Sequence, residues 1–271
     1  MSSSFFSGSA LHQTKDGANG YQKIAINLVG EEPLSIRING VPYSVVMRTP
    51  GDEISHAAGF CLTEGIVDAP EDITSLASCD GADTNVVTVT LTAQRREKIA
   101  GYLDRRGFIS QTSCGLCGKE LIQDIATAVS AINDDTHIPV TDAIAFLDKF
   151  SDYQPLRRIT RATHAAMIIG SDGAVLSCAE DVGRHNAVDK AVGSLFMNHR
   201  LHLAKVLALS SRISYELVQK AARAGIPVIL AVSRPTSLAV ALASRLNITL
   251  ACLAPEKGLY VFCAEQRLTD G

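Results

Sequence analysis

Two cysteines carry the most distinctive chemistry in this sequence. Cys114 and Cys117 are separated by two residues within the segment 111–118, which reads QTSCGLCG. Thiols at this spacing can form a disulfide, share a metal ion, or act as an attacking and a resolving thiol. Gly115 and Gly118 leave the backbone free to present both side chains from a loop. The plain alternative is a pair of incidental loop cysteines, and the spacing with its glycines favours a reactive pair.

Two other chemistries for the pair are weaker. A structural zinc site needs four Cys or His ligands, usually as a second close pair, and a thioredoxin-like site needs its first cysteine at the start of a helix. The helix predicted here begins at about Lys119, after both thiols, so a loop that carries a group between two sites suits the pattern better. The remaining cysteines are scattered singly and are predicted to be mostly core residues: Cys61, Cys79, Cys178, Cys252 and Cys263.

A second group of polar residues follows predicted strands in the second half of the chain. The charged run 180–190 precedes an apolar helix, and the segments 210–212 (SSR) and 233–236 (SRPT) follow the next two strands. Strand ends that lead into helix N-termini are where α/β sheets bind anionic ligands. A solvated loop is the bland alternative for the charged run. Seven residues are candidates for contact with a phosphate-rich ligand: His164, Asp181, Arg184, His185, Asp189, Arg212 and Arg234.

These candidates divide into different roles. Arg184 and His185 precede the helix and can converge with its free N–H groups on one anionic group. Asp189 can accept hydrogen bonds from N–H donors of the ligand, or hold Arg184 by charge pairing. His56, on a predicted helix, is expected to be structural. The chain has no glycine-rich dinucleotide fingerprint and no P-loop, which argues against a standard NAD or ATP site.

The elements that position these residues can be predicted from hydrophobic periodicity. Residues 34–45 alternate around Asn39-Gly40 and predict a hairpin, a helical face runs from Asp52 to Gly65, and 86–91 predicts a strand. The second half reads as a hairpin over 165–178 followed by alternating helices and apolar strands, which predicts a mostly parallel sheet with helices on both faces. We therefore expect a disordered tail (1–20), a small α+β domain (21–118) and an α/β domain (119–271).

Bulk composition narrows the class of protein. The chain has 271 residues, 46% hydrophobic and 20% charged, with a formal net charge of −3 and a pI of about 6.2. This balance argues for a globular protein and against a surface built for nucleic acid. No secretory leader and no apolar run of about 20 residues is found. We expect a cytoplasmic protein with reduced thiols and without nucleic-acid or membrane partners.

Seven motifs occur in an order that resembles the FdhD family of formate dehydrogenase accessory sulfurtransferases. They are RTPGDE at 48–53, HAAGF at 56–60, TEG at 63–65, SCGLCG at 113–118, HAA at 164–166, the run 180–190 and PT at 235–236. The resemblance covers residues 24–262 and implies a cytidine-deaminase-like, three-layer α/β domain without deaminase zinc chemistry, preceded by a smaller α+β domain.

The resemblance also implies an activity. Sulfur from a cysteine desulfurase would pass through a cysteine persulfide to the molybdenum of a bis(molybdopterin guanine dinucleotide) cofactor, which is bound as a substrate and then enters formate dehydrogenase. The resemblance implies a homodimer and no permanently held metal. Two alternatives stay open: a chaperone that only holds the cofactor, and a Cys-x-x-Cys thiol-disulfide oxidoreductase.

Residue roles can be carried over by position. Cys114 matches the persulfide cysteine of the family and Cys117 its partner. The cofactor-contacting stretch falls on Leu253, Ala254, Pro255, Glu256, Lys257 and Gly258. Here Pro255 stands where the family often has arginine, Arg161-Ala162 replaces a glycine-rich segment before His164, and Ser211 replaces a glycine before Arg212.

Overall fold

The computed structural model describes residues 3–15, 20–78, 85–106 and 130–270. Cys114 and Cys117, which the sequence predicts to be reactive, lie outside the described residues, as does the predicted domain boundary between residues 118 and 119.

The expected disordered tail is wrong for residues 5–12. Strand β1 (Phe5–His12) pairs with β2 (Gln22–Val29) in an antiparallel hairpin, with every residue from Phe5 to His12 in register. The Ser/Gly-rich composition suggested disorder, but the pairing satisfies the backbone N–H and C=O groups without needing a fully buried face. The hairpin therefore belongs to the folded protein.

The rest of the first half forms a four-stranded sheet and two helices. The order of its strands is β4-β3-β6-β5. Between β3 and β4, Asn39 and Gly40 have φ of 51° and 83°, the two positive values that a type I′ hairpin turn requires. The elements are β3 (Glu32–Ile38), β4 (Val41–Arg48), α1 (Glu53–Thr63), β5 (Ile73–Ser78), β6 (Val86–Leu91) and α2 (Ala93–Arg106). The predicted hairpin, helix and strand of this half are confirmed.

The second half is built on a six-stranded sheet of order β13-β12-β11-β10-β8-β9. Its elements are β7 (Ile138–Pro139), α3 (Val140–Asp148), α4 (Pro155–Thr160), β8 (His164–Ile169), β9 (Val175–Asp181), α5 (Arg184–Met197), β10 (Val206–Leu209), α6 (Tyr215–Arg223), β11 (Val228–Ala231), α7 (Ser237–Arg245), β12 (Thr249–Ala254), β13 (Gly258–Cys263) and β14 (Leu268–Thr269). The fold class is α/β, as predicted.

The prediction of a mostly parallel sheet is wrong. Strands β10, β11 and β12 run parallel, whereas β8, β9 and β13 are antiparallel to their neighbours. The hairpins β8–β9 and β12–β13 cause this, because a short turn returns the chain beside the strand that it has just left. Strand β9 therefore forms one edge of the sheet and β13 the other.

Alternate residues of this sheet are buried on opposite faces, which makes three layers. Helix α3 packs on one face against Met167, Ala208 and Leu230. The other face, with Ile168 and Leu207, is covered by α5, α6 and α7. The strands are apolar on both faces because both are covered.

The two halves of the chain share one core. Buried residues of β3, β6 and α1 belong to the same apolar cluster as those of α5, α6 and α7. Helices α1 and α5 approach so closely that a Cβ on Gly59 would overlap the carbonyl oxygen of Asp189, and one on Gly193 would overlap that of Ser55. The first half is therefore packed as part of a single buried core.

Candidate functional site

The predicted ligand-contacting segments lie along one edge of the large sheet. Leu209 at the end of β10 is opposite Ala166 and beside Ala231, and His164 is opposite Asp181. The carboxyl ends of β9, β10, β11 and β12 thus meet the amino end of β8. This edge carries His164, the first residues of α5, Arg212, Arg234 and the segment after β12.

His164, at the start of β8, lies close enough to Arg184 for their charges to interact. Partial burial lowers the pKa of His164, and the positive charges of Arg184 and Arg157 lower it further. The imidazole therefore stays neutral at a pH where a free histidine begins to protonate. Arg184, the first residue of α5, makes no salt bridge within the described part of the chain, so its guanidinium remains available to an anion.

His185 is held by the beginning of α6. Its Nε2 lies 3.4 Å from Ser214 Oγ and 3.2 Å from Glu216 Oε2. The hydrogen bond with His185 is the main cause that lowers the pKa of Glu216 to about 2. His185 thus contacts a carboxylate, whereas Arg184 forms no salt bridge within the described part of the chain.

Asp181 is buried and cannot serve a ligand directly, contrary to the prediction. Its Oδ1 accepts from Gly183 N at 2.8 Å and Asn186 Nδ2 at 2.9 Å, while its Oδ2 accepts from Thr49 N at 3.0 Å and pairs with Lys190 Nζ at 2.8 Å. These bonds use the acceptor positions of the carboxylate. Asp181 supports the turn that presents Arg184.

The predicted position of Asp189 at the ligand pocket is also wrong. Both its oxygens lie 2.9 Å from Lys220 Nζ, and Oδ1 accepts from Thr63 Oγ1 at 2.8 Å. Five residues along an α-helix correspond to a rotation of about 140°, which turns Asp189 away from the face of Arg184 and into the core. Burial alone would lower the pKa of Lys220, but Asp189 and Glu64 raise it, so this buried pair is ionic.

Arg212 and Arg234 follow β10 and β11, and both are exposed. The Arg234 guanidinium lies 5.3 Å from the ring centroid of Tyr260 on β13. The predicted hydroxyls are used within the protein: Ser210 Oγ accepts from Ala165 N at 2.8 Å, and the Thr236 side chain caps α7 at Ala239 N. The guanidinium groups of Arg212 and Arg234 form no salt bridge within the described residues, so they are the charged groups of these segments that can bind an anion.

The stretch carried over from the family forms the turn between β12 and β13. A short 3-10 turn spans Pro255–Lys257, with Glu256 in the left-handed region at φ 61°. Pro255 and Glu256 are exposed, while Leu253, Ala254 and Gly258 are partly buried. Because Tyr260 pairs with Cys252 across the hairpin, this turn lies beside Arg234 at the same edge.

The comparison with protein families identifies the chain. The model of the FdhD/NarQ family matches residues 29–269. The chain belongs to the FdhD/NarQ family. Its relatives include "Sulfur carrier protein FdhD" of Mycolicibacterium paratuberculosis, which is 41% identical over 251 residues covering 89% of this chain and 91% of the relative. The protein of the same name from Streptomyces coelicolor is also 41% identical, with 89% and 88% covered.

A solved structure confirms the fold of this FdhD/NarQ protein. It is that of a putative formate dehydrogenase accessory protein from Desulfotalea psychrophila, which superposes with a TM-score of 0.77 at 24% identity. The match covers 98% of this chain and 99% of the other. At this identity the likeness shows the shared fold.

The sequence interpretation missed three basic residues of this FdhD/NarQ protein. Arg157, Arg158 and Arg161 lie on and just after α4 and line a cavity close to His164. Their signal was present as three arginines within five positions immediately before a strand. Of the three, only Arg161 was considered from the sequence, as part of the Arg161-Ala162 departure from the glycine-rich segment of the family.

Two absences hold for the described ranges. Residues 3–15, 20–78, 85–106 and 130–270 contain no group of three or more His, Cys, Asp or Glu side chains placed to hold a metal ion. Within the same ranges, no helix has the length and apolar character needed to span a membrane.

Proposed function

We propose that this protein is a sulfur carrier that serves formate dehydrogenase. Membership of the FdhD/NarQ family and 41% identity to relatives named sulfur carrier proteins support this role. In the proposed reaction, Cys114 takes sulfur from a cysteine desulfurase, and the acceptor is a molybdenum bis(molybdopterin guanine dinucleotide) cofactor bound as a substrate. We propose that the protein acts in the cytoplasm as a homodimer, on the strength of the family resemblance.

The sulfur steps can be written with balanced bonds. The Cys114 thiolate attacks the terminal sulfur of a desulfurase persulfide, so a new S–S bond forms on Cys114 and the desulfurase thiolate leaves. The Cys117 thiolate then attacks the inner sulfur of the Cys114 persulfide, which releases hydrosulfide for the cofactor and leaves a Cys114–Cys117 disulfide. The two thiols supply the two electrons, and a cellular dithiol must afterwards reduce the disulfide.

The arginine side chains at the edge of the large sheet support the cofactor-binding part of the proposal. Arg184, Arg212 and Arg234 present guanidinium groups that form no salt bridge within the described residues. Guanidinium groups bind phosphate oxygens through paired donors, and the cofactor contains guanosine diphosphate units. We assign cofactor binding to this edge and to the neighbouring turn of residues 253–258, with His164 beside them.

Persulfide trapping after incubation with a cysteine desulfurase and cysteine tests the proposal. Mass spectrometry should find one additional sulfur atom on the peptide containing Cys114 and none in Cys114→Ala. Cys178→Ala is the matched control, because burial and the nearby Glu180 raise the pKa of the Cys178 thiol to about 12 and make it a poor nucleophile. A chain that never carries extra sulfur, yet binds the cofactor, would instead be a holding chaperone.

A further inference from the structure

A second basic site lies beside the proposed cofactor edge. A cavity of about 410 Å³ opens at α4 and is lined by Ser151, Gln154, Arg157, Arg158 and Arg161. We call it the Gln154 cavity. Its lining residues include three guanidinium groups and no carboxylate, so its surface is suited to an anion.

The guanidinium groups that line the Gln154 cavity form no salt bridge within the described residues. Arg157 Nη1 donates to the carbonyl oxygen of Thr163 at 2.7 Å, which fixes the direction of that side chain. Arg158 and Arg161 are exposed, and neither forms a side-chain hydrogen bond or salt bridge within the described part of the chain. Several donors of these guanidinium groups therefore remain free for a ligand.

Gln154 gives an independent indication of a missing acceptor. Only 5% of this residue is exposed, and its Nε2 has no hydrogen-bond partner among the described residues. A buried donor without an acceptor is destabilising, and this donor belongs to a side chain that lines the cavity. Because Nε2 itself is buried, the amide must turn about its terminal torsion to donate to an anion in the cavity.

The helix terminus next to the cavity is already capped. Glu180 accepts from the backbone N–H groups of Leu156 and Arg157, each at 2.7 Å, and from Thr163 Oγ1 at 2.8 Å. The first N–H groups of α4 are thus used within the protein. A ligand in the cavity would be bound by side chains: the arginine guanidinium groups and the Gln154 amide.

We propose that the Gln154 cavity is an oxyanion subsite that binds a phosphate-type group. Planar guanidinium groups bind two oxygens of one phosphate at a time, and the Gln154 amide supplies a neutral donor beneath them. This inference does not depend on sulfur transfer. The phosphate can come from a free phosphate compound or from a nucleotide that also reaches the neighbouring edge at His164.

Calorimetry with inorganic pyrophosphate tests the subsite. The background Arg184→Ala/Arg212→Ala/Arg234→Ala removes the free arginines of the sheet edge, and we expect pyrophosphate still to bind. Adding Arg158→Gln/Arg161→Gln should weaken binding by more than about tenfold. The matched control, Arg96→Gln/Arg200→Gln, removes two exposed arginines elsewhere and should change affinity by less than about twofold.

Two results would overturn the subsite: a background protein that does not bind pyrophosphate, or equal weakening by the two arginine pairs. A second measurement uses the unmodified sheet edge. The side-chain amide resonance of Gln154, identified by its loss in Gln154→Leu, should shift on adding pyrophosphate to the wild-type chain. A resonance that does not move would contradict the proposal.

The source of the phosphate is decided separately with GDP. If Arg158→Gln/Arg161→Gln, with the sheet edge intact, binds GDP like wild type, while the same two changes weaken pyrophosphate binding in the background that lacks the edge arginines, the subsite takes a free phosphate compound. If GDP binding is weakened as well, the phosphate belongs to the nucleotide that occupies the edge. Since sulfur loading of Cys114 is measured without nucleotide, failure of the subsite and failure of the sulfur-carrier proposal are distinguishable.

Discussion

The ammonium group of Lys220 lies 2.9 Å from both carboxylate oxygens of Asp189. It also donates to Thr63 Oγ1 at 2.9 Å, so α1, α5 and α6 meet at one buried ionic contact. The first helix of the chain is thereby joined by charge, as well as by apolar packing, to two helices of the large α/β unit. Asp189, expected at the ligand pocket, holds the two halves of the protein together.

Asp189→Ala should destabilise the protein strongly. Removing one partner of a buried ion pair typically costs about 3–5 kcal/mol, and Lys220 would keep only the more exposed Glu64, at 3.3 Å, as a carboxylate partner among the described residues. Urea denaturation can measure the loss. The double variant Asp189→Leu/Lys220→Met should recover most of this loss, since it removes both charges. A fall of less than about 1 kcal/mol in Asp189→Ala would contradict the buried ionic pair.

Gly193→Ala should weaken the contact between α1 and α5. A Cβ at this position would overlap the carbonyl oxygen of Ser55, and overpacking of this kind costs about 1–3 kcal/mol or more. Gly101→Ala is the matched control, because it also adds one methyl group to a helix but meets no atom of the described residues within 4 Å. The control should be neutral or stabilising by about 0.5–1 kcal/mol. Equal midpoints of thermal unfolding for the two variants would show that the helices α1 and α5 accept a Cβ at Gly193 without loss of stability.

The free energy of unfolding should fall in acid partly because Glu216 becomes protonated. Its pKa is lowered from an ordinary 4.5 to about 2 in the folded protein, so its contribution is complete above the ordinary value and is lost as the pH falls from there towards about 2. The side chain is 32% exposed, and screening reduces the contribution to about 1 kcal/mol.

Glu216→Gln removes this contribution. Its free energy of unfolding should be lower than that of wild type at about pH 6, and the difference should shrink towards about pH 3. Glu97→Gln, at an exposed position of α2, is the control and should show no such convergence. If the free energies of unfolding of Glu216→Gln and wild type differed by the same amount at every pH, the His185–Glu216 contact could not be the source of the stability that Glu216 contributes.

Arg184→Ala should lose affinity for GDP while still accepting sulfur on Cys114. Losing a charged contact to phosphate costs about 2–5 kcal/mol of binding, which exceeds tenfold in affinity. Calorimetry measures the first property and persulfide trapping the second. GDP binding like wild type, or a folded variant that no longer loads sulfur, would assign Arg184 to another step.

The local elements were predictable because their signals are local. The Asn39-Gly40 turn, the apolar strand Val206–Leu209 and the helix face of α1 follow from residue type and periodicity alone. The direction of β13 was not predictable, because the sequence of an apolar strand is the same whether its neighbour in the sheet is parallel or antiparallel. The β1 strand was missed because its stability comes from backbone pairing rather than from a buried face.

The site was predictable in its location but not in its side-chain directions. That segments following β10, β11 and β12 share an edge follows from strand order, and Arg184, Arg212 and Arg234 are found there. Asp181 and Asp189 were misplaced because a carboxylate in a polar run gives no sign of whether its partner is a ligand, a lysine of the same run or a lysine of another helix. Lys190 and Lys220 are those partners, and each is buried within an otherwise apolar helix face.

The contacts between the two halves constrain how the protein is made on the ribosome. Thr63 and Lys220 are 157 residues apart, so α1 is synthesised long before its ionic and apolar partners. At about 5–20 residues per second this interval is about 8–31 seconds, during which the nascent chain exposes an unpaired apolar helix. We expect the N-terminal half to need a chaperone that covers this apolar face during that interval. If translation stalls before α6 emerges, the N-terminal half should aggregate.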